Sequence, residues 1–421
     1  MYTFAMPMRI LQLTPRMPWP LADGGAIAVY NITKSLANLG HEITLVTYPL
    51  DSVHETEDAV QELSKYAKVH LVSKPLPPRW RVLLRTMFRG AYPIDRRVMP
   101  EMFRLVRHVI ENNRFDIAHI DHAHMGPYGL WIKETFDLPI ILRENNFETM
   151  IYERFAQTEK NPLKSFLAGM HGKRLKREEA QFLANFDAVA ALSSEDVAAM
   201  KQVAPMGNYR IIPAGVDTDY FYPMNIQVDA DSIISLGTQA WDPNYDATRY
   251  FLDEIFPIIL AKRPSTVLHI VGGAEHRISS FAERFGSSVQ IHGRVPDVRD
   301  YLARSAVLVV PLRIGGGMRL KLLEGFAAGK AIVSTSIGAE GNKGQNGIHL
   351  LIRDGADAFA DGVVELLSDL ELQRRMGKAA RTFVMQDYSW KKIGEDFIKL
   401  YTSVLTERSK KLFAETLNKA E

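Results

Sequence analysis

The segment running from Ile314 to Lys330, IGGGMRLKLLEGFAAGK, carries the residue types that hold a phosphorylated anion. Gly315, Gly316 and Gly317 let backbone amides approach an anion closely, and the start of the helix that follows adds partial positive charge. Arg319 and Lys321 fall in the expected first helical turn, where cations oppose the helix dipole unless an anion is bound. Glu324, about one turn later, is placed to accept hydrogen bonds from neighbouring hydroxyls such as a ribose diol. The same residues also read as a surface ion pair, Lys321 with Glu324, behind a flexible glycine loop. Gly325 to Lys330 is no P-loop: three residues, not four, separate its glycines, and no Ser or Thr follows the lysine. Neither half of the chain shows Gly-x-Gly-x-x-Gly after its first strand, which argues against a dehydrogenase.

These residues need strands and helices to present them, and the chain supplies them twice. Apolar runs predict strands over Met8–Thr14, Glu42–Thr47, Lys68–Val72, Phe115–Ile120, Pro139–Arg143 and Asp187–Leu192. A helix over about Ala26–Leu39 stops at Gly40. A second series covers Ser232–Leu236, Thr266–Val271, Val289–His292, Ala306–Pro311, Ala331–Thr335 and Ile348–Ile352. Strands alternating with helices predict an α/β protein of two doubly wound, Rossmann-like domains. The expected boundaries are 1–212, 213–387 and a helical tail of 388–421 that packs back on the first domain. Ligands bind beyond the carboxyl ends of such strands, where the sequence places Gly24, Gly25, His119, Glu148 and Gly237.

Composition narrows the chemistry. The 421 residues are 46% hydrophobic and 24% charged, which fits folded domains and not disorder. The absence of cysteine excludes disulfides, thiolate metal sites and thiol catalysis. A net charge of +2 leaves attraction to anions to local patches. No run reaches the ~18 apolar residues of a membrane span, and Met1–Arg9 lacks a secretory pattern, so the expected location is the cytoplasm.

From Met8 to about Leu405 the chain resembles the family 4 glycosyltransferases of GT-B fold. The resemblance rests on Gly24-Gly25, Asp116–His119, Ile212–Asp217, Gly293–Asp297 and Glu324 with the Ala331–Gly338 segment. It implies two domains facing an interdomain cleft and a retaining, metal-independent transfer of a sugar from a nucleoside diphosphate. No cofactor is implied beyond that sugar nucleotide as substrate. Glu324 matches the second glutamate of the family's Glu-x7-Glu motif, which holds the donor ribose; the first falls on Gly316 and is missing. The Arg and Lys common after the first strand of the second domain are also missing, since that stretch reads Gly237-Thr-Gln-Ala-Trp-Asp-Pro-Asn244. The resemblance therefore assigns donor binding to Gly237, Gly315, Gly316, Gly317, Arg319, Lys321, Leu323 and Glu324, with Arg319, Lys321 and His119 as the catalytic set. Gly24 and Gly25 are expected at the donor phosphate or an acceptor group, and Glu148 on the acceptor side. His119 also reads as a histidine satisfied within the fold, and Glu148 as an ion-pair partner of Arg154. Both departures from the motif resemble a subgroup of bacterial polysaccharide assembly.

Arg79, Arg81, Arg85, Arg89, Arg96 and Arg97 are interleaved with Trp80, Leu83, Leu84, Met87 and Phe88. Such a segment suits an anionic membrane surface, with peripheral attachment at the inner face; it equally suits a helix with its apolar side in the core. No nucleic-acid module accompanies it. The expected function is transfer of a sugar to a glycan or lipid-linked acceptor in cell-surface polysaccharide synthesis. A nucleotide-sugar 2-epimerase and an inactive nucleotide-sugar-binding protein stay open as alternatives.

Overall fold

The computed structural model describes residues 7–21, 24–78, 81–82, 92–145, 147–150, 152, 162–315 and 317–418. The chain divides into two compact units, Met1–Pro213 with Ile393–Glu421, and Ala214–Lys392.

The first unit is built on seven parallel strands: β1 (Arg9–Leu13), β2 (Glu42–Thr47), β3 (Lys68–Leu71), β4 (Ile117–Asp121), β5 (Ile140–Arg143), β6 (Ala188–Ala191) and β7 (Tyr209–Ile211). Their spatial order is β3-β2-β1-β4-β5-β6-β7. β1, β4, β5 and β6 are almost wholly buried, as strands covered by helices on both faces must be. β7 lies outside the sequence-based expectation. It is a three-residue edge strand with Arg210 and Ile211 exposed, so it carries no apolar run to read. The turn from β1 to β4 is the switch point of the sheet, and helix Gly24–Asn38 starts just after β1.

The second unit has six parallel strands: β8 (Asp229–Leu236), β9 (Val267–Val271), β10 (Val289–Gly293), β11 (Ser305–Val310), β12 (Ala331–Ser334) and β13 (Leu351–Ile352), in the order β10-β9-β8-β11-β12-β13. Two apolar clusters cover its faces. Ile233, Phe251, Ile270, Val309 and Phe359 belong to one, and Ile234, Leu236, Leu308, Leu322 and Phe326 to the other. The chain returns to the first unit within the last helix, Trp390–Asn418. Among the described residues no helix is long and apolar enough to cross a membrane.

Candidate functional site

In the second unit, the polar groups gather at the carboxyl ends of β8 and β11. Helix Leu320–Ala327 follows β11 with Leu322, Leu323, Phe326 and Ala327 buried against the sheet. Its N-cap is Arg319, with extended backbone, so the helix begins one residue later than expected and only Lys321 lies inside its first turn. Leu323 is completely buried in the core, and its side chain offers no surface to a ligand. Gly315 and Gly317 take φ of 113° and 79°, which favour glycine; Gly316 lies outside the described residues.

Arg319 is 5% exposed. Its guanidinium sits 5.7 Å from the centre of the Trp241 ring and packs onto Gly315, where a Cβ would come within 3.0 Å of Nη2. Lys321 turns back under the end of β8. Its Nζ donates to the Leu236 carbonyl and, at 2.8 Å, to Asn244 Oδ1. This cation therefore occupies the corner that lacks the family's Arg and Lys, reached from the neighbouring helix. Two of its three N–H groups are spent on the protein, which makes it a brace for the loop as well as a charge. Gly237, at φ 128°, makes room for this arrangement: a Cβ there would meet Asn244 Nδ2 at 2.5 Å and Lys321 Nζ at 2.9 Å.

Lys321 and Glu324 are both half-buried. Burial lowers the Lys321 ammonium to a pKa of about 8, against the opposing pull of Glu324. Burial raises Glu324 to about 7, against the pull of Lys321. No described group donates a hydrogen bond to the Glu324 carboxylate. The corner thus holds desolvated charges of both signs and a carboxylate with open acceptor positions, which an anionic, hydroxyl-bearing ligand would complement.

In the first unit, His119 is not at a strand end. It is the third of five residues in β4, completely buried, with Nδ1 2.5 Å from the Tyr401 hydroxyl. Phe397 packs on its ring at 5.1 Å. Its Nε2 lies 3.6 Å from Asp121, which also binds Arg143 at 2.9 Å and Gln12 at 2.9 Å. Burial pushes Asp121 up, but His119 and Arg143 outweigh it and hold the carboxyl far below the usual range. His119 is therefore packed inside the first unit, away from the strand end where the sequence placed it, with Nε2 left without a hydrogen-bond partner among the described residues.

The strand-end polar groups are instead His122, His124, Glu144 and Glu148. His122 has φ 65°, a strained value for a side chain other than glycine. Asn145 Nδ2 donates to its Nε2 at 2.7 Å, which places the ring proton on Nδ1, a buried donor with no described partner. The rings of His122 and His124 stack at 5.7 Å. Burial lowers the pKa of His122 to about 3 and that of His124 well below its ordinary value. Glu144 accepts from the Ala123 amide at 3.1 Å, while its Oε1 is buried without a partner. Burial, with Glu179 and Glu148 nearby, raises Glu144 well above the carboxylate range. Glu148 lies 3.9 Å from His124 Nε2 and is raised by burial against the pull of Arg97. Arg154, its alternative partner, lies outside the described residues. Glu179, which the sequence did not mark, accepts from the amides of Glu148 and Thr149 at 3.0 Å each and so fixes this loop.

Gly24 and Gly25 open helix Gly24–Asn38, whose first turn has no acid to repel an anion. Of the arginine-rich segment, Arg79, Arg85 and Arg89 lie outside the described residues. Arg81 is exposed, whereas Arg96 and Arg97 are half-buried and donate to the carbonyls of Pro77 and Pro15. Among the described residues no group of three or more His, Asp or Glu side chains is placed to hold a metal ion.

Comparison with known proteins bears on both units. A family model described as Glycosyltransferase Family 4 matches residues 22–220, and one described as Glycosyl transferases group 1 matches residues 230–369. Together they cover most of the chain. A Klebsiella pneumoniae protein known as an uncharacterized 44.6 kDa protein in the cps region is 20% identical over 400 residues, covering 93% of this chain and 99% of the other. Sucrose-phosphate synthase from Thermosynechococcus elongatus superposes with a TM-score of 0.69 at 17% identity, over 95% of this chain and 100% of the other. HepE from Anabaena, in complex with UDP-glucose, superposes with a TM-score of 0.64 at 13% identity, over 94% and 100%.

Proposed function

The chain belongs to the family 4 glycosyltransferases and has the GT-B fold, and on that premise we propose that it moves a hexose-type sugar from a nucleoside diphosphate to a glycan or lipid-linked acceptor, with retention at the anomeric carbon. The observation that carries the donor assignment is the corner of Arg319, Lys321 and Glu324 at the head of helix Leu320–Ala327. The diphosphate docks on the helix start and the Gly315–Gly317 bend. Arg319 neutralises the charge that builds on it, and Glu324 accepts from the ribose hydroxyls. In the transfer, the bond from the anomeric carbon to the phosphate oxygen breaks and a bond to the acceptor oxygen forms. The acceptor's proton leaves with the departing phosphate. An ionised phosphate oxygen held by Arg319 serves as the base, so the step needs no carboxylate pair.

The UDP-glucose held by the Anabaena neighbour makes uridine nucleotides the first donors to screen. The cps-region setting of the Klebsiella relative makes surface polysaccharide assembly the natural context. Peripheral attachment through Arg79, Arg81, Arg85 and Arg89 remains part of this reading, with Arg96 and Arg97 tied to the backbone instead. The test is calorimetric titration of UDP and GDP into the wild type and Glu324→Ala. The variant is expected to lose at least about tenfold in affinity, the worth of hydrogen bonds to a charged group, with a melting temperature no lower than that of the wild type. Equal affinity in the two proteins overturns the donor assignment. Sugar nucleotide interconverted without acceptor would identify an epimerase instead.

A further inference from the structure

A cavity lies in the second unit at the amino ends of the strands, opposite the donor corner. It measures about 610 Å³ and opens where β8 and β11 begin, lined by Gln227, Asp229, His269, His292, Tyr301 and Arg304 among others. β8 separates it from Lys321 by seven residue steps, roughly 20 Å at strand rise. Its floor is a run of rings. His269 Nδ1 and His292 Nε2 share a hydrogen bond at 3.0 Å with the imidazoles stacked at 5.2 Å, and Tyr301 packs on His292 at 4.6 Å.

Ser232 and Ser305 of the lining are bonded within the fold, but other polar groups around those rings are not. No described residue hydrogen-bonds the Tyr301 hydroxyl, the Gln227 amide or the Arg304 guanidinium, or the outer nitrogens of the two histidines. Asp229 Oδ1 accepts from the Asp231 amide, leaving Oδ2 open. Burial lowers both histidines and so favours their neutral forms, and the lining carries one acid, Asp229, and one arginine, Arg304. A free anion would face Asp229, and an apolar ligand would strand several donors and acceptors. A chain of hydroxyls, each both donor and acceptor, with apolar C–H faces for the rings, complements these open donors and acceptors together.

We propose that this cavity is a saccharide-binding site, distinct from the donor corner, that holds a neutral stretch of glycan. Holding a distant part of a polymeric acceptor there raises its effective concentration at the enzyme without new contacts at the reacting sugar. The inference stands on the cavity and not on the donor assignment. It is therefore tested with no nucleotide present, and either reading can fail while the other holds.

The full-length protein is titrated calorimetrically with maltotetraose, cellotetraose and mannotetraose, each up to about 10 mM, the range in which weak sites show. At least one is expected to bind. Arg304→Ala, at an exposed rim position, and Tyr301→Phe, which removes only a hydroxyl, should each weaken it by about tenfold or less, and together by more than tenfold. Glu324→Ala should bind the same tetrasaccharide as the wild type does. Absence of binding by all three, binding indifferent to the double variant, or binding of inorganic phosphate in their place would each overturn the proposal.

Discussion

The two units put their desolvated ionisable groups to opposite purposes. In the first unit, His119, Asp121, Arg143, Gln12 and Tyr401 close on one another inside the fold, and each charge has its partner. In the second, Glu324 is half-buried with its acceptor positions open, and its nearest cation is tied to the end of β8. Charges matched by opposite charges inside the fold mark a structural network; a desolvated carboxylate left without a donor at a helix head marks a place for a ligand. His122, His124 and Glu144, one step beyond that network, each retain a buried polar atom without a described partner, as does His119 at Nε2.

The contrast is open to attack by mutation. Asp121→Ala should cost about 3–5 kcal/mol of stability, because it leaves Arg143 and His119 uncompensated; urea denaturation reads it, and a loss under 1 kcal/mol would mean the network is not structural. Arg319→Ala should lower kcat by about 10²- to 10³-fold, as for loss of one charge-stabilising donor, while donor affinity falls less. Equal losses in both would contradict a transition-state role. Glu324→Gln sharpens the comparison through pH. The native carboxyl is raised to about 7, so the folded state binds the proton more tightly than the unfolded chain does. Its contribution is present at low pH and is lost as pH rises from the ordinary carboxylate range through 7. The Gln variant should therefore gain about 1–2 kcal/mol over the wild type at pH 8 and little at pH 4, in paired thermal melts. Glu144→Gln should have the smallest effect. Burial, with Glu179 and Glu148 nearby, raises its carboxyl and favours the neutral form, which glutamine mimics, so stability should shift by less than about 0.5 kcal/mol.

The sequence showed clearly whatever depends on short-range pattern. Twelve strands announced themselves as apolar runs, and the Gly315–Glu324 corner as glycines, cations and an acid after a strand. What it hid depends on partners far along the chain. His119 looked like a strand-end residue, but its environment is set by Phe397 and Tyr401, far along the chain, Tyr401 282 residues later. Glu179 sits within a long helix and reads as one more surface acid; its role comes from the amides of Glu148 and Thr149. Lys321 was legible as a cation at a helix start, while its grip on Leu236 depends on the register between β8 and β11.

Tyr401 and Phe397 belong to the final helix, yet they seal the interior of the first unit. A ribosome that has finished Pro213 has not yet made the residues that cover His119 and Asp121. Domains usually fold in order of synthesis. Here the second unit is complete while the first still waits, and a stop codon before Phe397 would leave the older half of the molecule unfinished.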